Sequence, residues 1–133
     1  MKKLNSYKTW QAIEKDIKGE GFTEVVPGSF RKYFDNWGIC YLTFTYSNNN
    51  YSCGINEWGN FSNSEAEDIL KYWPYLIKYS LLRLKPKFVR CSTTERQPDE
   101  LNNGLFDCGF IPTGSVKSNH GNYQILMWEY WAE

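Results

Sequence analysis

The chain has 133 residues, enough for one domain with a core of its own. Hydrophobic residues make up 41% and aromatic residues 18%, which excludes a disordered chain. Lys plus Arg equals Asp plus Glu at 15 each, so the overall charge points neither to a nucleic-acid partner nor to an acidic mimic of one.

From the N-terminus, Trp10, Ile13 and Ile17 recur at helical spacing within residues 6–18, with Ser6 as a candidate cap and Gly19 and Gly21 as the stop. Phe22 to Val26 reads as a short strand ended by Pro27-Gly28. Phe30 to Asp35 alternates weakly, and Asn36-Trp37-Gly38 reads as a turn. Ile39 to Tyr46, rich in β-branched and aromatic residues, is the clearest strand. Tyr51 to Glu57 returns as another strand after a polar loop. The region predicts an antiparallel meander of three strands.

A long helix follows. Ser62-Asn63-Ser64-Glu65 and Ser64-Glu65-Ala66-Glu67 both fit a capping box, which places its start near Ser64. Ala66, Ile69, Leu70, Trp73, Ile77, Leu81 and Leu84 form one apolar stripe. Pro74 inside it removes a backbone donor and is expected to kink or divide the helix. Lys85-Pro86 ends it, and Lys87 to Thr93 is one more strand. Pro98 suits the first turn of a short helix. That helix closes on Gly109-Phe110, and a terminal hairpin turns at residues 118–122. Gly21-Phe22 echoes Gly109-Phe110, but the spacings that follow differ and no true repeat is read.

A helix between two strands makes a right-handed crossover between parallel neighbours. The long helix should therefore set Phe88 to Cys91 beside the strand 51–57. The expected fold is a single mixed α/β domain over 1–133, with a sheet of six to seven strands and helices on both faces.

Further candidates for chemistry are sparse. The four cysteines, Cys40, Cys53, Cys91 and Cys108, are widely spaced and lack a CxxC, which predicts free thiols, a reducing cytoplasm and no metal site. No apolar run reaches membrane-spanning length, and the basic N-terminus lacks the apolar segment of a signal peptide. His120 is the single histidine and sits in a polar turn, a poor place for a catalytic base. Arg83, Lys85, Lys87 and Arg90 cluster where a helix C-terminus favours cations. Thr93 and Thr94 stand at the open end of their strand, suited to a ligand hydrogen bond or to ending the strand. Tyr72, Tyr75 and Tyr79 fall off the apolar stripe, and form either a second packing layer or a protein-partner surface.

The order of helix, antiparallel strands, long helix, strand, short helix and terminal hairpin resembles the GNAT superfamily of acyl-CoA-dependent N-acetyltransferases. The strand Phe88 to Thr93, the short helix, Gly109-Phe110 and the hairpin carry that resemblance. It implies that the fourth and fifth strands, 51–57 and 88–93, splay apart around the pantetheine arm of acetyl-CoA or another acyl-CoA. It implies cofactor contacts at Ile55, Asn56, Asn60, Phe61, Ser62, Asn63, Ser64 and Thr93. It places Glu57 as general base, and Tyr123 as the acid if that ring reaches in, since the usual tyrosine position holds Leu105. The acceptor would be a small-molecule or protein amine. The pyrophosphate loop departs from the family's Arg/Gln-and-glycine pattern: residues 57–65 hold one glycine and neither Arg nor Gln, and Glu65 and Glu67 would repel a phosphate. Two functions follow: a divergent acyltransferase, or an inactive accessory or inhibitory protein binding its partner through Tyr72, Tyr75 and Tyr79.

Overall fold

A computed structural model describes residues 1–26, 29–33, 39–47, 50–58, 63–95 and 99–133, with side-chain detail for 1–24, 30, 32, 71–95, 99 and 101–133. The expected turns at Pro27-Gly28 and Asn36-Trp37-Gly38, and Pro98, lie outside the described residues.

Helix α1 (Trp10–Gly19) begins later than its periodicity suggests. Thr9 caps it, its hydroxyl accepting from the Ala12 N–H at 3.3 Å. Ser6 instead sits in a 3₁₀ turn, Leu4–Ser6, and donates to the Lys3 carbonyl at 2.6 Å. The helix closes in a Schellman motif: Gly21 takes a left-handed φ of 97°, Gly21 N–H reaches the Lys18 carbonyl, and Phe22 N–H the Ile17 carbonyl. Phe22 and Ile17 are both buried, the apolar contact that accompanies this motif.

Strands β1 (Thr23–Val26), β2 (Ser29–Tyr33), β3 (Ile39–Ser47) and β4 (Asn50–Trp58) form an antiparallel meander of four strands, not three. Strand β2, read from sequence only as a weak alternation, is a full member, and β1 joins it through an irregular register between Glu24 and Val26. Helix α2 (Asn63–Leu84) crosses to β5 (Phe88–Thr94), which pairs parallel with β4. Helix α3 (Asp99–Asp107) leads into β6 (Ile111–Lys117) and β7 (Gln124–Trp131). The sheet order is β1-β2-β3-β4-β5-β7-β6.

Pro74 does not divide α2, which runs as one helix of 22 residues. The proline ring instead fills the contact with α3, where Gly104 provides the space. Helix α3 ends as α1 does. Gly109 has φ 95°, its N–H reaches the Phe106 carbonyl, and Phe110 N–H reaches Leu105. The echo between Gly21-Phe22 and Gly109-Phe110 is thus the same helix-ending geometry used twice, with Leu105 and Phe110 buried together.

One core cluster joins Ile13 and Ile17 of α1, Leu76, Ile77 and Tyr79 of α2, and Leu101 and Leu105 of α3 to Phe30, Val89, Cys91 and Trp128 of the sheet. Each large apolar side chain so buried contributes about 1.5–3 kcal/mol. Strand β5 alternates accordingly: Val89, Cys91 and Thr93 are buried, while Arg90 and Ser92 are exposed. The three helices therefore share one face of the sheet. This corrects the expectation of helices on both faces; the mixed α/β class stands.

Candidate functional site

Parallel pairing between β4 and β5 comprises two register pairs, Tyr51↔Val89 and Ser52↔Arg90. Beyond them, β4 remains paired with β3 as far as Trp58, and β5 with β7 as far as Thr94. The two strands thus part toward their C-terminal ends, and their facing backbone edges are left without a strand partner among the described residues. Unpaired N–H and C=O groups on such edges suit an extended ligand lying between them. Ligands of open α/β sheets gather at the carboxyl ends of the strands.

Glu57 lies near the mouth of this cleft, opposite Cys40 in the β3 ladder. Ile55 and Asn56 precede it, opposite Leu42 and Tyr41. Six residues on from the Tyr51↔Val89 pair, Glu57 stands level with Glu95, across the parting. Glu95 closes the far wall: its N–H donates to the Gln124 carbonyl at 3.2 Å, and its carboxylate accepts from the Gln124 N–H at 3.0 Å. Tyr123, half-buried, adjoins that clamp, and its carbonyl accepts from Ser118 N–H at 3.0 Å. The fold therefore brings the backbone positions of Glu57 and Tyr123 to the same end of the sheet. Glu95 and Gln124 were not singled out from sequence; counting the parallel register forward from Val89 is the signal that finds them.

Asn63 and Ser64 open α2 beyond the end of β4, so the helix starts at Asn63, one residue ahead of the capping-box reading. Asn60, Phe61 and Ser62 lie outside the described residues.

Thr93 corrects its expected role. It is 2% exposed and fully engaged: its hydroxyl donates to Asn102 Oδ1 at 2.7 Å and accepts from Trp128 Nε1 at 2.9 Å. The side chain locks α3 and β7 to β5 and is not available to a ligand. For the three tyrosines the structure favours the second packing layer over the partner surface. Tyr79 is fully buried, stacked edge-on to Phe30 and Trp10, and donates to Glu24 while Arg83 bridges both. Burial, then the Glu24 carboxylate, pushes its phenol well above the usual tyrosine range. Tyr72 packs on Phe22 and donates to Glu20 at 3.0 Å. Tyr75 packs on Tyr7 and donates to the Lys2 carbonyl at 2.8 Å. They form the second packing layer, because α1 and the N-terminal segment cover that side of α2. Tyr72 and Tyr75 also line a cavity of about 640 Å³ with Leu4, Glu20, Pro74 and Gly104, among the helices.

The basic cluster is partly neutralised. Arg83 pairs with Glu24 at 2.7 Å and Arg90 with Glu129 at 3.5 Å. Cys91 and Cys108 are free thiols, and burial pushes the Cys108 thiol up to about 12. His120 is exposed, its N–H donating to Ser118 Oγ at 3.0 Å. Among the described residues no group of His, Cys, Asp or Glu is placed to hold a metal, and no helix is long and apolar enough to cross a membrane.

No protein-family model matches the chain, and no curated protein matches it in sequence. Solved structures do. A Sphaerobacter thermophilus DSM 20745 protein assigned to the acetyltransferases superposes with a TM-score of 0.51 at 10% identity, covering 71% of this chain and 56% of its own. This chain thus spans little more than half the length of that protein. A mutant form of spermidine N-acetyltransferase from Vibrio cholerae gives 0.44 at 13% identity, covering 91% and 72%. A GNAT-family acetyltransferase from Bacillus anthracis gives 0.44 at 10%, covering 78% and 66%. The seven-stranded order and the Sphaerobacter likeness together show that this chain has a GNAT-like fold.

Proposed function

We propose that this protein is a divergent GNAT-like N-acyltransferase that moves an acyl group from acetyl-CoA or another acyl-CoA to an amine. The observation that carries the reading is the parting of β4 and β5 after two register pairs. The opening fits an extended chain bearing amide groups, which would pair with the facing strand edges near Ile55 and Asn56 as an added strand does. The N-terminal end of α2, at Asn63 and Ser64, supplies free backbone N–H groups and the positive end of a helix dipole for phosphate oxygens. Loop residues Asn60, Phe61 and Ser62 would complete that contact. Glu65 and Glu67 oppose it, so the pyrophosphate would be held more weakly than by a glycine-rich loop.

In this reading Glu57 takes the proton of the incoming amine, and the Tyr123 phenol gives one to the departing sulfur. Each such proton transfer is worth about 10²–10⁴ in rate. Trp128 and Thr93 hold β5 against β7 and so fix the wall that carries Glu95 and Tyr123. An acceptor amine, cationic in water, would meet two carboxylates at the mouth, Glu57 and Glu95. The accessory-protein alternative is weakened, because Tyr79 is buried and Tyr72 and Tyr75 are half-buried against the core.

Thermal shift with acetyl-CoA tests the reading. Binding raises the melting temperature by mass action, with about 2.7 kcal/mol gained at a hundredfold excess over Kd. Thiol release in the presence of a panel of primary amines tests turnover. No shift at millimolar acetyl-CoA would sink the proposal.

A further inference from the structure

We infer that the indole N–H of Trp73 is a ligand-binding donor in the floor of the β4–β5 cleft. The inference rests on the acyl-CoA reading above and adds a residue to it.

Trp73 is 4% exposed, yet among the described residues its Nε1–H has no hydrogen-bond partner. Buried indole N–H groups nearly always find one, and leaving such a donor unmade costs about 1–3 kcal/mol. The other buried indole, Trp128, follows the rule and donates to Thr93. An orphan donor in a packed core calls for an explanation, and a partner that arrives from outside supplies one.

Its location is bracketed on three sides. One neighbour on α2, Tyr72, faces the α1 side, where Tyr79 meets Phe30 of β2. The other neighbour, Pro74, faces Gly104 of α3, and α3 is tied to β5 through Asn102 and Thr93. At 100° per residue, Trp73 projects between these two directions, toward the sheet. Strands β3 and β4 lie between β2 and β5 there. The height agrees as well. Helix α2 runs back along the sheet from the end of β4 to the start of β5. Trp73 lies eleven residues before Leu84, roughly 16 Å of helix. The same distance from Phe88 at about 3.3 Å per residue reaches Ser92 and Thr93. At that level β5 has already left β4, whose last pair with it is at Arg90. The unpartnered N–H therefore sits beneath the parting strands, well inside the mouth marked by Glu57 and Glu95.

The group it suits is a carbonyl oxygen on a narrow, uncharged, extended chain, such as an amide or thioester carbonyl of an acylated pantetheine. A charged group would not be matched by one neutral donor in an apolar floor.

The test compares wild type with Trp73→Phe, which removes the N–H and keeps a large ring, using acetyl-CoA and CoA as probes. Calorimetry should show affinity falling about three- to tenfold, the size of one neutral hydrogen bond. Trp73→Phe also removes ring volume from the core, so some loss of urea stability is expected of the free variant and does not bear on the assignment. An indole ¹H–¹⁵N cross-peak, assigned by its absence in Trp73→Phe or Trp73→Tyr, should shift downfield when acetyl-CoA is added to wild type. Unchanged affinity with an unmoved cross-peak in a wild type that does bind overturns the Trp73 assignment alone. Absence of any binding by wild type overturns the acyltransferase reading, and this inference with it.

Discussion

Gly104 of α3 lies directly against the ring of Pro74 on α2: a Cβ built on Gly104 would stand 2.4 Å from Pro74 Cγ. Two residues that each weaken a helix in isolation thus meet at the crossing of two helices. The glycine provides the room and the proline occupies it. The Pro74 carbonyl also accepts from the Cys108 thiol at 3.6 Å, one turn further along α3.

Gly104→Ala should therefore destabilise the protein. In an exposed helix this change would stabilise by about 1 kcal/mol through propensity. Here the clash is with a rigid ring, and overpacking of this kind costs roughly 1–3 kcal/mol. Urea unfolding measures the net sign. A more stable variant would show that α3 can slide away from Pro74 at no cost.

Thr93→Val should cost about 1–3 kcal/mol, because it strands the Trp128 indole N–H in the core and removes the Asn102 contact. Thr93→Ser keeps the hydroxyl and should recover most of that loss. Equal stabilities for the Val and Ser variants would refute the hydrogen-bond role.

Alkaline stability follows from the buried acids. Cys108 is raised from 9.0 to about 12, mainly by burial, and Tyr7, Tyr75 and Tyr79 are also raised. The folded state therefore holds protons that the unfolded chain has released. That contribution is fully present below pH 9 and is lost as pH climbs from 9 toward 12. Each such group steepens the fall by at most about 1.4 kcal/mol per pH unit. Cys108→Ala should flatten the decline of melting temperature between pH 8.5 and 10.5. Superimposable slopes for the two proteins would remove Cys108 from the account.

Glu57→Gln should lower kcat/KM for amine acylation by about 10²-fold or more, while acetyl-CoA affinity stays within about twofold. A parallel loss of cofactor affinity would indicate that Glu57 shapes the cleft and does not act as a base.

Much of this architecture was legible before any coordinates, and the reasons are local. Ile17 and Leu105 each precede a Gly-Phe pair by four residues, and that spacing alone ends both helices. The crossover rule placed Phe88 to Cys91 beside the strand 51–57, and Val89 does pair with Tyr51. What escaped depended on neighbours distant in sequence. Tyr79 reads as an outer residue from α2 alone, yet α1 and Phe30 cover it. The hydroxyl of Thr93 reads as open, yet Asn102 and Trp128 use both of its capacities. Hydropathy counts Trp73 as core and is blind to whether its N–H has a partner.

The two-pair junction between β4 and β5 has a mechanical meaning as well. A ladder that short transmits little force, so the sheet behaves as two plates meeting at a seam. Helix α2 spans that seam like a rivet, Tyr79 gripping the β1–β4 plate through Phe30 and Glu24, and Pro74 gripping the β5–β7 plate through α3. One helix thus bears on both plates where they meet.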